Sequence, residues 1–448
     1  MASAAEQLAA NFNFGALSKA TELKKRIWFT LGALVVYRLG TYIPLPGIDA
    51  QVLRDVFSQQ QGGIIGMLDM FAGGALGRMS IFALNIMPYI SASIIMQLLT
   101  AVSPKFIAMK KEGESGRKQI NQYTRYGTVL LATFQAYGLA VGMEGMTGSN
   151  GSSAVMNAGL FFRATTVITI VGGTIFLMWL GEQITQRGVG NGISLIIFAG
   201  IIAELPAALI QTMEMGRTGA LPTIAIISIM VLAVAVITGI VFIERSQRRL
   251  IVQYPKRQQG NKMYGGESSH LPLKLNTAGV IPPIFASSML LLPVSIISFS
   301  GGRGPEWLTT VSAMIGPGQP LFLLLFVSLI VFFAFFYTAI VFNPEETADN
   351  LKRYGGFIPG IRPGKNTADY LDYVLTRLTF VGAGYLAVIC IIPEWLRNEF
   401  AVPFYFGGTS LLIVVTVTMD TVAQVHSHLL AHQYEGLIKK SRLRGRRG

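Results

Sequence analysis

Residues 67–100 read MLDMFAGGALGRMSIFALNIMPYISASIIMQLLT, and this stretch sets the terms for the whole chain. It continues a short apolar run, 64–71, that is too short to cross a bilayer. A glycine-rich turn follows, with Gly73, Gly74 and Gly77. Then comes a full-length apolar span, 76–101, with Pro88 in its middle and Ile86 and Ile90 on either side. A half-helix, a hinge and a broken span are costly in lipid, because backbone amides freed by proline or irregular turns must find partners there. Such pieces survive where they pack against protein or line a cavity. The stretch therefore reads as pore-lining.

The composition agrees with a membrane setting. Of 448 residues, 51% are hydrophobic and 13% charged, and the mean hydropathy is +0.51. Soluble domains average about 25% charged. The single cysteine, Cys390, lies in an apolar span, so no disulfide joins two parts of the chain. Residues 1–26 are polar, carry Glu6 and show no cleavable leader; the first apolar run starts at Ile27, directly after Lys24, Lys25 and Arg26.

Ten spans of about 20 residues are expected: 27–43, 76–101, 124–142, 161–181, 193–213, 221–243, 278–299, 321–342, 374–393 and 404–425. An even number places both termini on one side. With that side inside, the inner segments and the span ends Arg125 and Arg377 hold 29 of the 36 Lys and Arg. The other seven are Arg38, Arg54, Arg78, Arg163, Arg217, Arg303 and Arg397. This asymmetry orients the chain with its N-terminus inside; the net charge of the whole chain is +13.

Two inner loops are long as well as basic. Residues 244–277 contain enough β-formers for a short hairpin, and 343–373 mix aromatics, Pro-Gly turns and positive charge. Both suit docking of a large anionic partner. The tail ends KKSRLRGRRG, which suits orientation and attraction to anionic lipid headgroups.

An internal repeat links two spans. Residues 87–96 read MPYISASIIM and 281–290 read IPPIFASSML, matching at Pro88/Pro282, Ile90/Ile284, Ala92/Ala286 and Ser93/Ser287. They lie in the second spans of two successive groups of five. Five is odd, so the groups would insert with opposite topology, and matched broken spans in inverted halves point to a transport pathway between them.

No catalytic constellation is present. The nearest approach to a phosphate loop, Pro363-Gly364-Lys365-Asn366, lacks the hydroxyl residue and the upstream glycine. His426, His428 and His432 have no carboxylate or cysteine to complete a metal site. The glycines 188, 190 and 192 read as a loop entering the fifth span, with Asn191 as candidate N-cap. No enzyme activity and no cofactor are expected. Ion-coupled carriers use buried charges, and only Glu204 and Arg38 lie clearly within spans, Arg38 near an outer end where it can snorkel. An apolar constriction seals by excluding water and makes no specific bond to a passing substrate. That suits a conduit for varied cargo. A secondary transporter of a small solute and a scaffold without a pathway are the rival readings.

Several segments together resemble the SecY family, which forms the centre of the bacterial protein-conducting channel. They are MSIFALNIMPYISASIIMQLLT, KKEGESGRKQINQYTRYGT, FLMWLGEQITQRGVGNGIS, HLPLKLNTAGVIPPIFASS, FFYTAIVFNPEETADNLK, PGIRPGKNTADYLD and PFYFGGTSLLIVV. The resemblance implies an all-α polytopic membrane protein, with ten transmembrane helices in two inverted pseudo-symmetric halves of five and a short plug helix.

It divides the chain into an N-terminal segment (1–26), a first five-span half (27–213, plug about 64–73), a link and sixth span (214–243) and a docking loop (244–277). Then follow spans seven and eight (278–342), a second docking loop (343–373), spans nine and ten (374–425) and a basic tail (426–448).

By motif the resemblance places a pore ring on Ile86, Ile90, Ile193, Ile197, Ile284 and Ile413. It places the plug and hinge on Met67, Leu68, Asp69, Met70, Phe71, Gly73, Gly74 and Gly77. This element is expected to be loosely held. A lateral gate between spans two and seven involves Pro88, Ser91, Gln97, Asn191, Asn276 and Pro282. Docking of the ATPase SecA or the ribosome falls on Arg248, Arg249, Lys256, Arg257, Lys262, Arg362 and Tyr434. Where relatives often carry two basic residues after the glycine of KRQQG, this chain has Asn261 and Lys262. The implied partners are the small subunits SecE and SecG, SecA, the ribosome, signal peptides and nascent chains, and anionic lipids. The implied location is the bacterial inner membrane.

Overall fold

A computed structural model describes residues 21–49, 52–53, 69, 72–146, 152–219, 222–254, 257–259, 262–264, 268–299, 314, 319–400 and 408–444. Long apolar runs become helices because only intrasegment hydrogen bonds satisfy the backbone in lipid. The helices are α1 (Thr21–Gly40), α2 (Met87–Val102), α3 (Pro104–Lys111), α4 (Glu114–Glu144), α5 (Leu160–Arg187) and α6 (Gly192–Arg217). They continue with α7 (Thr223–Arg245), α8 (Ile281–Phe299), α9 (Pro320–Val341), α10 (Pro344–Arg353), α11 (Lys365–Phe400) and α12 (Gly408–Arg444).

The expected spans overlap these helices, and α3 and α10 are polar connectors. Among the described residues, six helical segments are long and apolar enough to cross a membrane, and α2 with α3, bent by 94°, makes a seventh if the pair is one span. In α7 the hydropathy reaches 3.0 while only 11% of the window is buried in protein. Ile224, Ile227, Val231 and Val234 point outward, a surface that only lipid covers comfortably. The chain is a multi-pass membrane protein.

The start of the second span differs from expectation. Residues 73–86 run as turns, and the helix begins only at Met87. Pro88 sits in the first turn of α2 rather than mid-span. Proline lacks an amide that would in any case be orphaned there, and its φ is already helical. Pro282 is likewise the second residue of α8, so both repeat fragments open a helix at the same relative position. The irregular segment finds partners in protein: Ile81 N–H donates to Ile43 O (3.0 Å) and Leu45 N–H to Met79 O (2.9 Å).

Two expected loops are partly helical. The third span's helix starts at Glu114, and the tail continues as α12 through Arg444.

The helices of the first group meet those of the second along two seams. On one, α2 and α4 pack against α8; on the other, α6 packs against α7 and α12. Many of these helices share one apolar cluster, with Tyr37, Phe82, Leu139, Ile170, Phe333 and Leu412 at full or near-full burial.

The expected hairpin forms. β1 (Gln247–Gln253) pairs antiparallel with β4 (Ser268–Lys274), and β2 (Arg257–Gln259) with β3 (Lys262–Tyr264) at its tip. Leu250 and Leu273 face inward onto Ile358, Leu371, Val374 and Leu375. Gln253 exchanges two backbone bonds with Phe357 (2.9 and 3.0 Å). The two long loops and the start of α11 are therefore one packed body.

Candidate functional site

The six isoleucines come from four helices. Ile86 precedes α2 and Ile90 lies in its first turn; Ile193 and Ile197 open α6; Ile284 opens α8; Ile413 lies near the start of α12. Asn191 fixes the start of α6, its side chain accepting from Ile193 N (3.1 Å) and Ser194 N (3.4 Å), so the expected N-cap is present. Ile86, Ile90, Ile197 and Ile413 are buried, Ile193 and Ile284 half-buried, and all six touch the same apolar cluster. Ile86, Ile90, Ile197 and Ile284 also line one small cavity with Asn85, Ser287 and Ser288. About 10 Å³ of it is open to the centre of a water molecule, roughly what one water needs. Ile193 and Ile413 do not line it.

The gate candidates take several roles. Pro88 and Pro282 begin α2 and α8, which touch one another. Ser91 is buried on α2, and Gln97 donates to Ser93 Oγ one turn earlier (3.2 Å). Asn276 ties α7 to the entry of α8: its Nδ2 donates to Glu244 Oε1 (2.7 Å) and Gly279 O (3.1 Å), and its Oδ1 accepts from Gly279 N (3.1 Å). Asn276→Ala should lower stability by about 1–3 kcal/mol, the cost of orphaning buried partners, read as a lower midpoint of thermal unfolding in detergent. The loop before α6 is a junction: Val189 N donates to Thr30 Oγ1 (3.0 Å) and Gly190 N to Gln424 Oε1 (2.9 Å).

Around Gly73, Gly74 and Gly77, the backbone makes several hydrogen bonds. Gly74 N donates to Asp69 O (3.0 Å), and Gly77 N to Asp69 Oδ1 (2.7 Å). Burial pushes the Asp69 carboxyl above the usual range, partly offset by the Gly77 amide. Gly73 O accepts from Arg38 Nη1 and from Arg78 Nη2, each at 2.7 Å. Glu204 Oε1 of α6 lies 3.9 Å from Arg38 Nη2 and 3.6 Å from Arg78 Nη2. Gly73 and Gly74 both have positive φ (65° and 74°), which glycine adopts without strain. A Cβ on Gly73 would also meet Gly200 Cα at 2.7 Å.

Arg38 therefore does more than snorkel. The three-charge set was only half visible beforehand: Arg38 and Glu204 stood out as span charges, but Arg78 was read only as one of the outer arginines. Met67, Leu68, Met70 and Phe71 lie outside the described residues.

Among the docking candidates, Arg248 and Arg249 are exposed on β1, and Arg362 is exposed in the turn before α11. Arg257 and Lys262 occupy the paired strands at the hairpin tip. Tyr434 lies on α12. Lys256 is outside the described residues.

A family model for SecY matches residues 80–422. The chain is 59% identical over 425 residues to the protein translocase subunit SecY of Escherichia coli (strain K12), covering 95% of this chain and 96% of that protein. It is 56% identical over 434 residues to the SecY subunit of Vibrio cholerae, covering 96% and 97%. The fold is similar to a solved structure of a protein conducting channel, with a TM-score of 0.63 at 18% identity over 90% of this chain and 92% of that one. It is also similar to Sec61 in the canine ribosome–channel complex, with a TM-score of 0.61 at 17% identity over 90% and 92%. With a matching family model over most of its length and relatives this close along nearly all of it, the chain belongs to the SecY family.

Proposed function

We propose that this SecY-family chain is a passive, gated protein-conducting channel: it passes unfolded polypeptide across the inner membrane and releases apolar segments sideways into lipid. What carries the reading is the convergence of Ile86, Ile90, Ile197 and Ile284, from helices of both five-span groups, on one water-sized cavity beside the α2–α8 seam. An apolar constriction of this kind disfavours ions and a continuous file of water at rest. All six isoleucines form the ring around the chain in transit.

The two exits follow from one comparison of environments. At the membrane centre Leu or Ile contributes about −0.5 kcal/mol and Asp or Lys about +3 kcal/mol. A segment of about 20 apolar residues therefore leaves for lipid between α2 and α8, and a hydrophilic one stays in the pore. Ser91, Gln97 and Asn276 form the polar side of that seam; Asn191 caps α6. The segment 64–73 is the plug, with Gly73, Gly74 and Gly77 as its hinge. No group here supplies energy; SecA or a translating ribosome does so from the basic face. There the fused loops present Arg248, Arg249, Arg257, Lys262 and Arg362. SecE and SecG complete the complex, both termini are cytoplasmic, and the basic tail meets anionic lipid. The solute-carrier reading is weaker, because Arg38, Arg78 and Glu204 are engaged with one another and with the hinge.

The test is a vesicle holding this chain with SecE and SecG. Export of an unfolded precursor should require added SecA and ATP. ATP-driven export with no motor present would refute the passive mechanism.

A further inference from the structure

We infer that Arg38, Arg78 and Glu204 are positioning residues that latch the hinge, and that the Glu204 carboxylate is the group that makes the latch hold. The inference rests on reading 64–73 as the plug. Its physical core is an awkward charge arrangement. Two guanidiniums converge on one neutral acceptor, the Gly73 carbonyl, each at 2.7 Å. Two cations this close repel, and a carbonyl dipole alone does not compensate them. Glu204 sits within 4 Å of both, and the Tyr42 ring lies 5.1 and 4.5 Å from the two guanidinium carbons, a favourable face for cations.

The latch joins three separate parts of the chain. Arg38 ends α1, Glu204 lies in the middle of α6, and Arg78 belongs to the hinge segment itself. The carbonyl they grip is one residue from Ala72, whose own carbonyl accepts from Tyr37 Oη (3.5 Å). On the near side Asp69 holds the Gly74 and Gly77 amides. A chain leaving toward 64–71 is thus tied at both ends of its hinge. The glycines make this possible: a Cβ on Gly74 would collide with Glu204 Oε1 and Arg78 Nη2.

Neutralising Glu204 leaves two cations on one carbonyl with no carboxylate within 4 Å of them among the described residues. Each arginine side chain is 28% exposed, so one can swing to water and free the hinge. Removing one arginine as well relieves the repulsion and lets the other stay.

The test uses the full chain with its membrane subunits in lipid discs, reading hydrogen exchange of the 69–80 segment, with β1–β4 as a folding control. Glu204→Gln should raise exchange in 69–80 about tenfold, the scale of a charge-assisted bond, and leave β1–β4 unchanged. Glu204→Asp should fall between. Arg38→Gln added to Glu204→Gln should bring exchange back toward the parent, a rescue that simple destabilisation does not produce. Unchanged exchange in Glu204→Gln, or faster exchange in the double variant, would overturn the latch. Resting ion conductance in planar bilayers separates the two readings. Conductance rising with exchange supports latch and plug together. Exchange that rises without conductance leaves the latch standing and removes the plug assignment.

Discussion

Resting ion conductance of the reconstituted channel should rise about ten- to a hundredfold when Ile86, Ile90 or Ile413 is replaced by glycine or asparagine. Ile86 and Ile413 are 1% and 0% exposed, and Ile90 is 6%. A buried isoleucine side chain is worth about 1.5–3 kcal/mol of transfer from water, and each 1.4 kcal/mol is a factor of ten in an equilibrium. Deleting one therefore tips the balance between a dry and a wetted constriction by roughly that factor. Asparagine adds polar groups that water can bond, so it should leak at least as much as glycine. Ile330 is the control. It is equally buried, in α9, but is not one of the six ring positions; Ile330→Ala should lower stability without a leak. Single-channel recording decides the matter, and wild-type leak in all three ring variants would end the claim that these isoleucines are the seal.

Arg362→Glu should slow SecA-driven export about tenfold or more while abundance and thermal stability stay near wild type. Arg362 is exposed in a tight turn, between Gly360 and Gly364 with positive φ (86° and 107°). Its carbonyl accepts from Thr367 Oγ1 (3.0 Å), so the backbone is fixed while the side chain stays outside. It forms no ion pair with a described residue, and surface changes of this kind cost within about 0.5 kcal/mol of stability. Reversing a charge where an acidic partner docks replaces attraction with repulsion, and an arginine anchor alone is worth 2 kcal/mol or more at a typical interface. Vesicle export at fixed SecA and ATP, normalised to channel abundance, gives the answer. Equal rates for Arg362→Glu and wild type would remove this residue from the docking surface. The fused loop body makes the expected effect local: Arg362 lies four residues from Ile358, which packs with Leu250 and Leu273 under the hairpin.

The broad architecture was legible because partition into lipid depends on local composition. Apolar runs of helical length, set off by basic segments, carry their own meaning wherever they end up in space. The hairpin was legible for a similar reason, since the strand formers Leu250, Ile251 and Val252 stand together between polar residues. Helix starts were harder. Pro88 was read as a break in a span, yet it opens α2, because nothing local shows whether the residues before a proline are helical or find partners elsewhere. Residues 81 and 45 find theirs on each other's strands of irregular chain, and such pairing is invisible to a window of sequence.

The sequence by itself determined that this chain is a polytopic membrane protein of the SecY family, how its charges are apportioned between the loops, and which isoleucines are candidates for a seal. Only the tertiary structure decided that Gly73 and Gly74, in a stretch read as loose, are hydrogen-bonded to side chains and backbone from elsewhere. The reason is distance along the chain. Arg38, Arg78 and Glu204 come from three separate segments, and each alone looks like an isolated charge to be hidden or snorkelled. Bringing α1, α6 and the hinge together turns them into one compensated set around a single carbonyl, and no local pattern of residues encodes that meeting.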